Sequence, residues 1–282
     1  MSAPIVLSHY QTRTLRDAFS AGITRVEISP DLGLSAVRAE LYLDGIRLPD
    51  GQTLHWEALD SISEAANSCF VLDEGGLRKI IIYSEFSDLT YSLMPTVGSP
   101  TMLVSGIPMH RIKDTDPGQD TLEKLKSIKP VTGQVLDTAT GLGYTAVQAS
   151  RTAAHVTTIE YEPAALEIAR LNPWSRSLFT APNITQLIGD SYDIVQTLDD
   201  EACARIIHDP PVFALAGHLY STEFYLELYR VLQPSGRMFH YIGNPESKSG
   251  AGITRGVVKR LRQAGFERVR EARPAFGVVA YK

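Results

Sequence analysis

The second half of the chain alternates short apolar segments with segments of helical spacing, and this alternation restricts the fold more than any other feature. Apolar segments at 133–139 and 156–161 are each followed by a candidate helix. Strands that alternate with helices form a mostly parallel sheet with helices on both faces. Five further apolar segments follow, the last at 276–282. The sequence therefore predicts an α/β fold. Its Rossmann-like sheet has seven strands, mostly parallel with an antiparallel last strand.

The first half has a different pattern, with short apolar stretches interrupted by turn residues such as Pro49-Asp50-Gly51. Such alternation between short strands and tight turns is typical of β-structure. We predict a small β-rich N-terminal domain over residues 1–112 with one helix near 57–66. The Rossmann-like domain then covers residues 113–282.

A helix is predicted at the start of the second domain. Asp120 and Glu123 have the spacing of a capping box, which would place the helix N-terminus at Asp120. Leu122, Leu125 and Ile128 recur at helical spacing and predict one apolar face of this helix.

The composition limits the location and partners of the protein. The net charge of −5 gives no general attraction to phosphate backbones. Cys69 and Cys203 lack metal-type or redox-type neighbours, which indicates reduced core thiols and a cytoplasmic protein without a metal site. We find no apolar segment long enough to cross a membrane and no signal peptide. The sequence leaves the substrate open between a small molecule, an RNA and a protein. It also leaves open whether the protein forms a homodimer.

Glycines and acidic residues follow three of the predicted strands. Asp137, Gly141 and Gly143 come after the first strand, Glu160 after the second and Asp190 after the third. In an open parallel sheet, ligands bind at the carboxyl ends of the strands, where glycines allow close approach and an acid can accept ribose hydroxyls. Each residue taken alone also fits an ordinary turn or a solvated loop.

Together these motifs resemble the class I S-adenosylmethionine-dependent methyltransferases. Over a longer span, stretches such as "LDTATGLGYTAV" and "HDPPVFALAGHLYSTEFYLELYRVLQPSGRMFHYIGNP" resemble the predicted archaeal-type methyltransferases, a group of unassigned substrate. The resemblance implies S-adenosyl-L-methionine as the cofactor. Ala139 stands where the family has the first glycine of its loop. The cofactor-binding residues implied are Asp137, Thr138, Ala139, Gly141, Gly143, Glu160, Tyr161, Asp190 and Ser191.

The charge of Asp137 argues against a dinucleotide-dependent dehydrogenase. The loop reads D-x-A-x-G-x-G rather than G-x-G-x-x-G, so Asp137 would lie close to a pyrophosphate and repel it. Beside a cationic sulfonium, the same carboxylate is favourable.

The fourth strand ends in "HDPPVF", residues 208–213. Amino-methylating enzymes of the same superfamily have an (Asn/Asp/Ser)-Pro-Pro-aromatic motif here, whose first side chain accepts hydrogen bonds from the target nitrogen. The resemblance implies that Asp209 positions the acceptor and that Pro210 presets the backbone. Val212 occupies the aromatic position. His208 is a candidate proton shuttle. Candidate substrate-side residues are Phe213, Tyr220 and His110.

Two alternatives remain. In aminopropyltransferases such as spermidine synthase, which use decarboxylated S-adenosylmethionine on the same fold, an acid at the position of Asp209 serves catalysis, and a β domain precedes the nucleotide fold. Asp209 would then act as a general base toward an amine. The second alternative is a module that binds S-adenosylmethionine and catalyses nothing.

Overall fold

The computed structural model describes residues 4–244 and 250–282. Its contacts divide the chain into two compact units. The first comprises Met1–Pro117 with Glu167–Arg176, and the second comprises Gly118–Leu166 with Ser177–Lys282.

The first unit contains three small antiparallel sheets. Their strand orders are β1-β6-β7, β2-β3-β4-β5 and β8-β9-β10-β11. The strands are β1 (Ile5–Leu7), β2 (Arg25–Ile28), β3 (Val37–Tyr42), β4 (Gly45–Arg47), β5 (Thr53–His55), β6 (Phe70–Asp73), β7 (Gly76–Lys79), β8 (Ile81–Ser84), β9 (Leu89–Met94), β10 (Thr101–Val104) and β11 (Ile107–Pro108). The helices are α1 (His9–Thr12), α2 (Leu15–Ser20) and α3 (Trp56–Glu64).

The prediction of a single helix in the N-terminal half was wrong. The expected helix is present as α3, but α1 and α2 precede it. Ser8 caps α1, since its side chain accepts from the Tyr10 N–H, while Gln11 Oε1 accepts from the Ser8 N–H at 2.9 Å. This S-x-x-Q capping box is visible in the sequence, and the helix that it starts has only four residues.

From Pro117 onward, helices alternate with the strands of one seven-stranded sheet, in the order β14-β13-β12-β15-β16-β18-β17. The strands are β12 (Gln134–Asp137), β13 (His155–Glu160), β14 (Ile184–Ile188), β15 (Cys203–His208), β16 (Leu232–Tyr241), β17 (Arg268–Ala272) and β18 (Gly277–Tyr281). The helices are α4 (Pro117–Ser127), α5 (Tyr144–Ala149), α6 (Pro163–Leu171), α7 (Arg176–Thr180), α8 (Ser191–Gln196), α9 (Phe213–Ala216), α10 (Thr222–Val231) and α11 (Gly250–Gln263). Short 3₁₀ turns lie at Pro173–Ser175, Gly217–Tyr220 and Arg273–Ala275.

The sheet confirms the α/β fold. Strands β12 to β16 pair in parallel, and β18 is antiparallel to both of its neighbours, β16 and β17. The central strand β12 pairs with β13 and β15, where Asp137 lies opposite Thr158 and Ile207. This register brings the carboxyl ends of neighbouring strands to one edge of the sheet.

Buried apolar side chains on the central strands and on α10 form the core of the second unit. Leu136, Ile206 and Met238 of the sheet are fully buried, as are Phe224 and Leu228 of α10. Such continuous burial is what parallel strands covered on both faces require. Across the residues that the structure describes, no helix has the length and apolarity needed to cross a lipid bilayer.

The capping-box interpretation of Asp120 was wrong. Helix α4 begins at Pro117, so Asp120 lies inside it, where the side chain is buried and pairs with Lys124 one turn later. The predicted apolar face is also only partly right, because Leu122 is 45% exposed while Leu125 and Ile128 are buried.

Candidate functional site

Asp137 ends the central strand β12 and is completely buried. Its Oδ2 accepts a hydrogen bond from the Thr145 hydroxyl at 2.6 Å, and its Oδ1 accepts from the Ala139 N–H at 3.4 Å. Burial raises the pKa of Asp137 to about 7, an effect that these hydrogen bonds oppose and that the charge of Asp209 reinforces. The carboxyl group therefore titrates near neutrality.

Glycine is favoured at Gly141 and Gly143 of the following loop for different structural reasons. Gly143 has a φ of 74°, and a Cβ there would lie 2.6 Å from the buried Leu178 Cδ2. Gly141 has a φ of 53° and open space where a Cβ would be. Its N–H donates to Glu160 Oε2 at 2.7 Å. Gly143 thus permits close packing against Leu178, and the Gly141 N–H donates to Glu160, the acid that ends β13.

Both carboxylate oxygens of Glu160 accept backbone hydrogen bonds, Oε2 from Gly141 and Oε1 from the Glu162 N–H at 3.0 Å. Burial nevertheless raises the pKa of Glu160. In the described part of the chain, neither Glu160 nor Asp137 forms an ion pair with a basic side chain. These two neighbouring acids are therefore hydrogen-bonded but not neutralised by charge.

Asp190 and Ser191 lie at the start of α8. The Asp190 side chain caps this helix by accepting from the Tyr192 N–H at 2.8 Å, and it lies 3.0 Å from Nε2 of His218. The Ser191 hydroxyl donates to the Thr138 carbonyl at 2.5 Å and ties β12 to the end of β14. Tyr161 after β13 is 56% exposed. The cofactor roles of these residues stay predictions.

Asp209 follows β15 and forms an ion pair that the sequence did not reveal. Lys124 Nζ of α4 lies 2.6 Å from Asp209 Oδ2 and 2.7 Å from Asp120 Oδ2. Lys124 and Asp120 are almost completely buried, whereas 21% of the Asp209 side chain is exposed. The two carboxylates raise the pKa of Lys124 against the opposing effect of burial, so the ammonium is charged. The i, i+4 spacing of Asp120 and Lys124 was the available signal.

His208 lies behind the site rather than in it. Its Nε2 is 3.0 Å from the Leu219 carbonyl, which only accepts, so Nε2 carries the proton and Nδ1 accepts from the Thr138 hydroxyl at 2.7 Å. Burial lowers the pKa of His208 to about 3. Both ring nitrogens are thus occupied and the ring is neutral. The proton-shuttle role stays a prediction, while this geometry favours a role in holding the ends of β12 and β15 together.

A second buried histidine continues this network. His240 Nδ1 lies 3.3 Å from the His208 carbonyl, and its Nε2 accepts from the Tyr225 hydroxyl at 2.8 Å. Burial lowers the pKa of His240 as well. The polar groups behind Asp209 are therefore satisfied by one another.

The segment after Asp209 is held from one side. Pro210 is buried, and the Tyr220 hydroxyl donates to the Pro211 carbonyl at 3.0 Å. The ring of Phe213 meets that of Tyr220 edge to face with centroids 5.5 Å apart, yet Phe213 is 58% exposed. Tyr220 thus supports the Pro-Pro segment, while Phe213 is available at the surface.

His110, the remaining candidate, belongs to the first unit. Its Nδ1 lies 2.9 Å from Thr101 Oγ1, and its side chain is half-buried. Its predicted contact with substrate stays a prediction.

The sheet order and the acids at its carboxyl edge define the chain as a Rossmann-like α/β protein, and solved structures share this fold. Spermidine synthase in complex with the transition state analogue AdoDATO matches with a TM-score of 0.59 at 20% identity, over 73% of this chain and 75% of that one. Spermidine synthase from Thermotoga maritima matches with a TM-score of 0.55 at 18% identity, over 73% and 74%. MNMC2 from Aquifex aeolicus gives 0.51 at 18% identity, over 67% and 70%. At these identities the likeness establishes the fold.

The sequence comparison is more specific. The chain belongs to the family of the uncharacterized protein MJ1233 from Methanocaldococcus jannaschii, to which it is 38% identical over 284 residues, 99% of this chain and 96% of that protein. No family model matches the chain. The activity therefore has to be argued from the site.

Proposed function

We propose that this protein transfers a methyl group from S-adenosylmethionine to a nitrogen acceptor that Asp209 positions. The observation that carries the proposal is the contrast between two sets of acids at one edge of the sheet. We call the loops after β12, β13 and β14 the cofactor half, and Asp209-Pro210 with Lys124 the acceptor half. Asp137 is buried and Glu160 is half-buried, and within the described residues neither is ion-paired with a basic side chain, whereas Asp209 is ion-paired.

The cofactor half suits a positively charged nucleoside. A buried carboxylate without a counterion is unfavourable, so a ligand that brings a positive charge gains from its proximity. A sulfonium with its amino group supplies that charge, whereas a pyrophosphate would add negative charge beside Asp137. When bound, S-adenosylmethionine supplies an electrophilic methyl group. Glu160 is placed to accept ribose hydroxyls once its backbone donors have oriented it.

The acceptor half suits an amine or amide nitrogen. Within the described residues, Lys124 is the donor to the Asp209 carboxylate, and it contacts Oδ2. The other oxygen can then accept a hydrogen bond from an N–H of the acceptor and direct the nitrogen lone pair toward the methyl group. Holding the reacting atoms in line in this way contributes through orientation.

Binding and turnover test the proposal separately. Isothermal titration calorimetry should show binding of S-adenosylmethionine and none of NAD. Label from methyl-tritiated S-adenosylmethionine should pass to one fraction of a cell extract divided into RNA, protein and small molecules. Asp209→Ala should keep the cofactor affinity and lower label transfer about 100-fold. Full transfer by this variant would overturn the role of Asp209, and binding of NAD alone would overturn the cofactor.

Asp209→Asn separates positioning from general-base catalysis. An amide oxygen still accepts a hydrogen bond but does not take up a proton under these conditions. If Asp209 positions the acceptor, the Asn variant should retain much more activity than the Ala variant. Equal loss in both variants would indicate a general base instead.

An aminopropyltransferase is the second candidate. The likeness to spermidine synthase covers 73% of this chain, more than the second unit contains, so it extends into the first unit. Titrations with S-adenosylmethionine and with its decarboxylated form distinguish the two functions. Preference for the decarboxylated form by tenfold or more, about 1.4 kcal/mol, would favour the aminopropyltransferase.

A further inference from the structure

From the contacts of α4 we infer that Lys124 is the positioning residue of the acceptor half. It holds Asp209 by Oδ2 so that the carboxylate keeps one orientation. The inference rests on the proposed function for its catalytic meaning. Its structural content, that the position of the Asp209 side chain depends on Lys124, stands by itself.

The burial of Lys124 is the first argument. A lysine is almost never fully buried unless it is paired, yet this side chain is 4% exposed. A solvated helix face explains most lysines, including Lys126 on the same helix, which is 67% exposed and forms an ion pair with Glu123. Lys124 instead points into the protein interior, where neighbouring groups have to compensate its positive charge.

The neighbours of the ammonium are the second argument. Three different elements surround Nζ: Asp120 of α4 at 2.7 Å, Asp209 after β15 at 2.6 Å and the ring of Tyr241 of β16, whose centroid is 4.9 Å away. Asp120 lies on the same helix and cannot vary its distance freely. Asp209 is the partner on a loop, and it is therefore the group whose orientation the ammonium determines.

The third argument comes from the loop itself. Pro210 and Pro211 provide no N–H that could hold the Asp209 carboxylate from its own segment. The contact from Tyr220 reaches the Pro211 carbonyl and leaves the Asp209 side chain untouched. Tyr220 thus holds the main chain of this segment, and Lys124 holds the Asp209 side chain.

The charge state follows from this arrangement. The single positive charge of Lys124 faces two carboxyl groups, Asp120 and Asp209, so the cluster has more acidic than basic groups, which a neutral or cationic amine tolerates. Asp120 affects Asp209 indirectly, through the Lys124 ammonium that it keeps in place. The inference therefore concerns Lys124 directly and Asp120 through it.

The test uses the full chain and three variants. Lys124→Met alone removes the ammonium beside the buried Asp120 carboxylate and can unfold the protein, so the informative variant is the double substitution Asp120→Asn with Lys124→Met. Lys124→Arg tests rescue by another cation. Lys126→Met is the matched control, because it makes the same substitution two residues away at an exposed site.

Crystal structures of the variants decide the structural part. We expect the Asp209 carboxylate to turn away or to become disordered in the double variant, and to keep its place in Lys126→Met and largely in Lys124→Arg. An unmoved carboxylate in the double variant would overturn the inference, whether or not any variant is active.

Turnover decides the catalytic part. With methyl-tritiated S-adenosylmethionine and the acceptor fraction of cell extract, the double variant should lose about 100-fold in rate, with cofactor affinity changed less than about twofold. Lys124→Arg should recover part of the rate. A double variant with full rate would overturn the inference. If the wild type itself transfers no label, the proposed function fails, and the crystal structures alone decide the role of Lys124.

Discussion

The cofactor half and the acceptor half lie at the same sheet edge, but their acids are stabilised in different ways. Asp137 and Glu160 rely on hydroxyl and backbone hydrogen bonds, and burial raises the pKa of both. Asp209 relies on a buried ammonium. Under the proposed function, the acids of the cofactor half gain a counterion when the cationic cofactor binds, whereas the ion pair of Asp209 is already formed in the free protein.

The largest expected effect comes from breaking the ion pair of the acceptor half. Lys124→Met should lower the free energy of unfolding by about 3–5 kcal/mol, because it leaves a buried carboxylate without its counterion. Urea unfolding followed by circular dichroism measures the change.

Two further variants show whether that loss reflects the buried charge. The double variant Asp120→Asn with Lys124→Met should regain most of the stability, while Lys126→Met should lie within about 0.5 kcal/mol of the wild type. A single variant as stable as the control would mean that the acceptor half does not depend on this ion pair.

The packing of the cofactor loop should give the next largest effect. Gly143→Ala places a Cβ against the buried Leu178 and in an unfavourable φ, so it should cost about 2–4 kcal/mol. Gly141→Ala has the same backbone problem without the clash and should cost about 1–2 kcal/mol. Equal losses in thermal or urea unfolding would show that the packing on Leu178 is not what requires glycine.

The smallest expected effect is the pH dependence of nucleoside affinity, which tests whether the cofactor half binds a cationic ligand. Because the pKa of Asp137 is raised to about 7, the carboxyl is mostly protonated at pH 6 and mostly ionised at pH 8. A cationic nucleoside prefers the ionised form, so its affinity should rise about tenfold between these pH values and its binding should release protons. Calorimetry at both pH values, in buffers of different ionisation enthalpy, measures both.

Asp137→Asn serves as the control for this titration. It keeps the size of the side chain and removes its charge, so binding should weaken and lose most of its pH dependence. The free protein gives a second readout. The raised pKa of Asp137 stabilises the fold at low pH, and this contribution should disappear as the pH rises from about 4 to 7. Identical pH profiles of wild type and variant would mean that another group titrates.

Much of the second unit was predictable because its signals are local. Apolar runs followed by glycine or an acid placed the ends of β12, β13 and β15, and helical spacing placed α6 after β13 and α10 after β15. The same reasoning failed where two local signals competed. Asp120 has the spacing of a capping box with Glu123 and also that of an ion pair with Lys124, and only the second is formed.

The sequence by itself determined the order of strands and helices, and hence which acids end the strands, since periodicity and turn chemistry act over a few residues. Tertiary structure alone decided how each acid is neutralised. Lys124 and Asp209 are 85 residues apart, and they meet because α4 and the end of β15 pack together. His208, next to Asp209 in sequence, is turned inward to Thr138 and Leu219. Alternation of side chains along a strand sends neighbours to opposite faces, and only packing determines what each face meets.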